Sequence, residues 1–289
     1  MSVCLAQGHV WGDSRRAPGW QTCRRCHMRR RDPWTAQGGR DAVAPTPAAP
    51  DRPRPRLRTI VVAARKGGAG KSTLAVHLAL AAHVRGLRAV LADADPQRSA
   101  TEALLGREGA GPLHADALKL GLATIHARAQ SQSAERLVID TPGGAGPTLS
   151  EAMALADLAL LVARPTFFDI AAAVRTFSEA RTIGVRSLIL INQAPPARAG
   201  QEHASVAKAL EALRITNLPV AAAVIHARTA FQTSMASGRS VEELGASPAA
   251  AEVAALWDAV EASLAEDPLE APPRAAAPQP AAAREGALP

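Results

Sequence analysis

The stretch Lys66-Gly67-Gly68-Ala69-Gly70-Lys71-Ser72-Thr73 sets two of the chain's four lysines five residues apart, in a sequence that carries 29 arginines. A chain that uses arginine almost everywhere else keeps lysine here, which points to a compact ammonium at both positions. Before the stretch runs Thr59-Ile60-Val61-Val62-Ala63-Ala64, apolar and β-branched; after it comes an amphipathic segment from Ser72 to about Val84. Strand, glycine loop and helix in that order make a phosphate-binding loop, and they commit the chain to an α/β fold.

The chemistry follows from the missing side chains. Gly67, Gly68 and Gly70 have no Cβ, so the backbone can curl round a polyphosphate with its N–H groups inward, and the helix that follows adds the positive end of its dipole. Ala69 and Thr73 belong to the same cradle. Lys71 reaches the outer phosphates, and Ser72 offers a hydroxyl to Mg²⁺, a cation that takes oxygen ligands. The general loop pattern has a glycine five residues before Gly70; that position is Arg65, and Lys66 follows it.

Further apolar runs end in carboxylates. Ala89-Val90-Leu91-Ala92 leads into Asp93-Ala94-Asp95-Pro96-Gln97, and Leu137-Val138-Ile139 into Asp140-Thr141-Pro142-Gly143-Gly144. Carboxylates at the carboxyl ends of parallel strands sit in the crevice where such sheets bind ligands. Asp140, one residue past its apolar run, can hold Mg²⁺ through water beside the first loop. Leu158 to Val162 and Leu188 to Ile191 complete the sheet, with Asn192-Gln193 closing the second. Strands alternating with helical segments predict one doubly wound, mostly parallel unit.

Lys66-Gly-Gly-x-Gly-Lys71-Ser72-Thr73 resembles the deviant Walker A motif of the ParA/MinD family of ATPases. The resemblance spans about residues 57–264. It implies that Lys66 reaches the phosphates of a nucleotide held by the partner subunit, and hence a nucleotide-sandwich homodimer. The D-x-D-P-Q element is similar to the family's second motif, which implies that Asp95 orients the attacking water while Asp93 supports the metal and its waters. Catalysis then falls to Lys66, Lys71 and Asp95, and Mg²⁺ to Ser72, Asp93 and Asp140. Pro165-Thr166-Phe167-Phe168-Asp169 is similar to the family's P-x-x-x-D helix start, with Asp169 expected as the cap. Asn192 has two readings, an adenine contact as in relatives or a turn former after a strand. No N-K-x-D element follows, so ATP is favoured over GTP. Val224 to Phe231, with Gly238 beyond, is similar to the last strand and helix of plasmid-partitioning relatives. There Arg228 is either a DNA-phosphate contact or a nucleotide-edge or structural arginine.

At 289 residues the chain has room for one large domain with appendages. The formal charge of +7 is unevenly spread: residues 1–58 carry +8 and the rest −1. Attraction for a polyanion is therefore concentrated in the N-terminal arm. That arm holds all three cysteines as Cys4-x4-His9 and Cys23-x2-Cys26, four ligands suited to tetrahedral zinc. His27 is an alternative to His9, and a redox pair the alternative to zinc. The pieces resemble a small zinc ribbon, and five arginines among residues 24–31 flank them. Four segments are expected: the zinc-ribbon-like module (1–31), a Pro/Ala/Arg-rich linker (32–56), the ATPase domain (57–266) and a Pro/Ala-rich tail (267–289).

Absences narrow the function. The start has neither the cationic nor the apolar part of a signal peptide, and no run is long enough to span a bilayer, so a cytoplasmic, nucleoid-associated protein is expected. The tail from Pro268 carries six prolines and no apolar stripe, against a membrane-bound MinD-like protein. The absence of tyrosine argues against the tyrosine kinases of the superfamily, and the absence of cysteine beyond residue 26 against its iron–sulfur members. What remains is a ParA-like Mg-dependent ATPase. By the resemblance it binds non-specific double-stranded DNA and answers to a ParB-like activator as it positions plasmid, chromosome or other cargo. The alternatives are a nucleotide-binding adaptor without significant hydrolysis and a MinD-like positioning ATPase. Removing residues 1–50 should eliminate bound zinc, measured by metal analysis, while ATPase activity stays largely intact.

Overall fold

Strand-length apolar runs without polar interruption require burial on both faces, and a parallel sheet covered by helices provides it. The computed structural model describes residues 11–13, 20–23, 29–31, 56–198 and 200–265. Three short antiparallel strands come first: β1 (Trp11–Asp13), β2 (Trp20–Cys23) and β3 (Arg29–Arg31), with Trp11 opposite Cys23 and Thr22 opposite Arg29. Of the expected zinc ligands, Cys23 ends β2; Cys4, His9 and Cys26, and the alternative His27, lie outside the described residues.

The main sheet has seven strands in the order β10-β9-β8-β4-β7-β5-β6. They are β4 (Arg58–Ala63), β5 (Ala89–Asp93), β6 (Leu113–Asp116), β7 (Arg136–Asp140), β8 (Leu158–Ala163), β9 (Ser187–Ala194) and β10 (Val220–His226), and every neighbouring pair is parallel. The sheet is doubly wound as expected, and wholly rather than mostly parallel among the described residues. The chain enters at central β4, moves out to β5 and β6, returns to place β7 between β4 and β5, and then builds β8 to β10 on the other side. The order reverses about β4, so the ligand crevice opens at the carboxyl ends of β4, β7 and β5.

Alternation along each strand feeds two cores. Ile60 and Val62 of β4 face one, with Leu91, Val138 and Leu160; Val61 and Ala63 face the other, with Val90, Ile139 and Leu161. Over the first face lie α1 (Lys71–Val84), α2 (Ser99–Leu105), α8 (Thr229–Ala236) and α9 (Pro248–Ala265), the last anchored by Val253, Leu256 and Trp257. The second face is covered by α3 (Ala117–Leu120), α4 (Leu122–Ser131), α5 (Pro147–Leu155), α6 (Phe167–Thr182) and α7 (Ala204–Ile215).

Three expectations are corrected. Helix α1 is not amphipathic: from Leu74 to Ala82 every residue is buried, because the sheet lies on one side and α2, α8 and α9 on others. Its alanines, Ala75, Ala79, Ala81 and Ala82, let it approach the strands closely. Strand β6 was not expected at all, since Leu-His-Ala-Asp has no apolar run and only its pairing with β5 makes it a strand. At the start of α6 the cap is Thr166, whose hydroxyl accepts from the Asp169 amide at 3.2 Å, and Asp169 is freed for another task.

Candidate nucleotide-binding site

The loop between β4 and α1 is bent by its glycines. Gly68 and Gly70 have φ of 74° and 88°, the left-handed region that costs an L side chain roughly 1–2 kcal/mol. Gly70 is doubly required, because a Cβ there would lie 2.4 Å from Asn192 Nδ2. Asn192, buried in β9, donates from that nitrogen to Ala69 O at 2.7 Å and so pins the loop from beneath. Its amide donor is therefore used inside the protein, a third role beside the two readings from sequence. Gly70 caps α1 with no side-chain bond and no acidic residue follows in the first turn, which leaves the helix's first amides to an anion.

The turn after β7 leans on this loop. Thr141 donates to Val62 O at 2.8 Å, Gly144 N to Ala64 O at 3.3 Å, and a Cβ on Gly143 would sit 3.4 Å from Gly67 N and 3.7 Å from Lys71 Nζ. Lys71 is buried between the two segments. Both its placement and that of Gly143 depend on this close approach.

Strand register sets Asp140, Asp93 and Asp116 level with one another on adjacent strands β7, β5 and β6. Their surroundings differ. Asp93 accepts from Thr101 N and Thr101 Oγ1, each at 2.8 Å, and from Asp95 N at 3.1 Å, so it anchors the loop to α2; burial raises its pKa. Asp116 accepts from the amides of Leu118 and Lys119. Asp140 is fully buried and neither of its oxygens completes a hydrogen bond. Burial pushes its pKa up from 3.8 to about 7; the Ser72 hydroxyl and Lys71 pull it down, and Asp93 and Asp95 push it further up. An orphaned carboxylate beside a hydroxyl and a phosphate loop fits a divalent cation, and Ser72 and Asp140 are the residues that would hold it. Among the described residues no group of three or more His, Cys, Asp or Glu side chains forms a metal site by itself.

The two lysines are placed differently. Lys71 is inside; Lys66 is 41% exposed, with Nζ 3.6 Å from Asp169 Oδ2 and 5.0 Å from the centre of the Phe168 ring. Asp169 also takes Arg164 Nε at 3.1 Å and the Thr166 hydroxyl. Burial alone would raise its pKa, but those partners and Lys66 outweigh it and hold the carboxyl below its ordinary value. Arg228, by contrast, is paired with Glu252, with Nη2 2.6 Å from Oε1, and keeps part of its side chain exposed. Sequence reasoning missed Thr101, Arg98, Asp116 and the Lys66–Asp169 pair. Only Asp169 had a signal, its place in the P-x-x-x-D element.

A glycine loop feeding a helix N-terminus, with a buried lysine and an unpartnered carboxylate at the next strand end, defines the site of a P-loop nucleotide-binding domain. The family model of the CobQ/CobB/MinD/ParA nucleotide-binding domain matches residues 60–241, and the chain belongs to that family, the ParA/MinD-type ATPases. It is 33% identical over 138 residues to protein ParA of Rhizobium radiobacter, a match covering 47% of this chain and 56% of that protein's length. Among solved structures it is similar to apo McdA of Cyanothece, with a TM-score of 0.60, 17% identity, and 71% of this chain and 100% of that one covered. It is similar also to the septum site-determining protein MinD complexed with Mg-ADP from Pyrococcus horikoshii, with a TM-score of 0.57, 18% identity, and 71% and 96% covered. These structural likenesses are of fold. No helix among the described residues is long and apolar enough to cross a membrane.

Two outcomes are expected. Gly70→Ala should displace Asn192 and sharply weaken nucleotide binding, measured by titration with a fluorescent ATP analogue; unchanged affinity would remove this loop as the site. For Asp140 the sign is fixed by the raised folded-state value. The unfolded carboxyl releases its proton near 3.8 and the folded one near 7, so the nucleotide-free protein loses stability as pH rises through that window. Asp140→Asn should therefore raise the melting temperature of the nucleotide-free protein at about pH 8 and much less at about pH 4. A gain equal at both would contradict the assignment.

Proposed function

We propose that the chain is an ATP-driven dimeric switch of the ParA kind. Mg-ATP binds at Gly67–Thr73 with Lys71 on the outer phosphates, and two protomers close on each other with Lys66 of each reaching the other's nucleotide. The closed dimer binds DNA without sequence preference, and slow hydrolysis, with Asp95 orienting the water, releases it. The observation that carries this reading is the separation of the two ammonium groups: that of Lys71 buried at the head of α1, that of Lys66 turned out of the loop and resting on Asp169. An ammonium that serves only its own nucleotide has no need of a separate carboxylate outside the loop. When bound, Mg²⁺ would neutralise charge on the outer phosphates, held by Ser72 and by Asp140, directly or through water, with Asp93 supporting the water shell. The Mg-ADP in the MinD relative supports the choice of cation.

Asn192 acts here through Ala69, setting the loop's shape, and the preference for ATP over GTP rests on the missing N-K-x-D element. The basic N-terminal arm, with zinc at Cys4, His9, Cys23 and Cys26, supplies a second electrostatic hold on DNA, and binding falls steeply with salt. The partner is a ParB-like activator on the cargo side, and the protein resides in the cytoplasm on the nucleoid. Lys66→Ala should keep nucleotide binding and lose ATP-dependent dimerisation, read by size-exclusion chromatography with a non-hydrolysable analogue. A dimer that forms as in wild type would overturn the switch.

A further inference from the structure

Four non-glycine residues among those described have positive φ, and one of them, Arg98 at φ 55° and ψ 25°, lies in the loop that carries Asp95. Glycine takes this conformation freely and arginine does not, so a long cationic side chain is kept at a strained position. Its backbone closes the turn from Asp95: Arg98 N donates to Asp95 O at 2.9 Å, and Glu102 N donates to Arg98 O at 2.9 Å to begin α2. Within the turn, Gln97 N donates to Asp95 Oδ1 at 2.9 Å. The direction of the Asp95 carboxylate therefore follows from the path of the chain through Arg98.

That path is held from the side. Arg98 Nε lies 3.3 Å from Asp116 Oδ2 at the end of β6, an ion pair whose N–H is not aligned for a hydrogen bond. Asp116 is itself immobilised, buried and bonded to two amides at the start of α3. Lys119 reaches the same oxygen at 3.4 Å but is 69% exposed and belongs to the same segment as Asp116, so it ties nothing across. Among the described residues, Arg98 is the side chain that joins the Asp95 turn to the sheet-edge strand β6. Asp95 in turn is near enough to Asp140 for its charge to be felt there.

We propose that Arg98 is a positioning residue for the Asp95 carboxylate: anchored on Asp116, it fixes the turn that aims Asp95 into the phosphate site. This rests on the reading of Asp95 as the group that orients water. Steady-state ATPase kinetics and ATP affinity of the full chain test it in the wild type and in R98G, R98K, D116N, R98G/D116N and D95A, with melting temperatures alongside. R98G removes the strain and the anchor together. Its kcat should fall roughly tenfold to a hundredfold, the range a small misplacement of a catalytic group produces, with KM and ATP affinity nearly unchanged and no loss of melting temperature. R98K, which keeps the cation, should restore most of the lost kcat, and D116N should lose about as much as R98G, with the double variant no worse than either single one. R98G with wild-type kcat while D95A is inactive overturns the anchor and leaves the role of Asp95 standing. D95A with wild-type kcat, or a wild type that does not hydrolyse ATP, overturns both. Losses from R98G and D116N that add in the double variant, or a drop in melting temperature matching the loss of kcat, also overturn it.

Discussion

The burial of one ammonium at the head of α1 and one carboxylate at the end of β7 constrains everything else in this domain. Lys71 and Asp140 are both withdrawn from water, neither Asp140 oxygen completes a hydrogen bond, and the nearby Ser72 hydroxyl and Lys71 offset only part of that loss. A fold tolerates such a group only where the rest of the structure fixes it in place. Here the fixing comes from β7 lying between β4 and β5, from Thr141 bonded back to Val62, and from Gly143 pressed against Gly67. The core beneath encloses α1, every residue of which is buried from Leu74 to Ala82.

Around that centre each polar side chain is spent on geometry. Three aspartates stand level on three strands with different bonds: Asp93 ties down α2 through Thr101, Asp116 caps α3, and Asp140 makes no hydrogen bond. Those bonds offset part of the repulsion between neighbouring carboxylates, which Asp140 still feels from Asp93. Asn192 likewise shapes the loop from below, and Asp169 holds Lys66 clear of the loop. The site is preorganised by side chains bonded to other groups of the protein.

Much of this was legible in the sequence, because it is local. The glycine loop, the strands that end in Asp93 and Asp140, and the alternation of strand and helix are each written in contiguous residues, and the parallel sheet follows from them. What stayed hidden depends on residues far apart in sequence. Asn192 meets Ala69 across 123 positions, and nothing near either residue announces it. Strand β6 exists only through β5, and the enclosure of α1 only through helices that come later in the chain. The capping role given to Asp169 failed for a local reason: Thr166, three residues earlier, takes the N-cap position, which puts Asp169 inside the first turn with its own amide bonded to Thr166.

The levelled row of aspartates has a consequence for how such a domain can vary through evolution. Side chains alternate across a strand, so one residue gained or lost between Arg136 and Asp140 would swing the carboxylate to the opposite layer, where α4 and α5 lie. The stretch of chain between α2 and β6 has no such parity to keep, and lengthening a surface connection costs little. Divergence in length is therefore channelled into the connections, and drift inside the strands is confined to exchanging one apolar side chain for another of similar bulk.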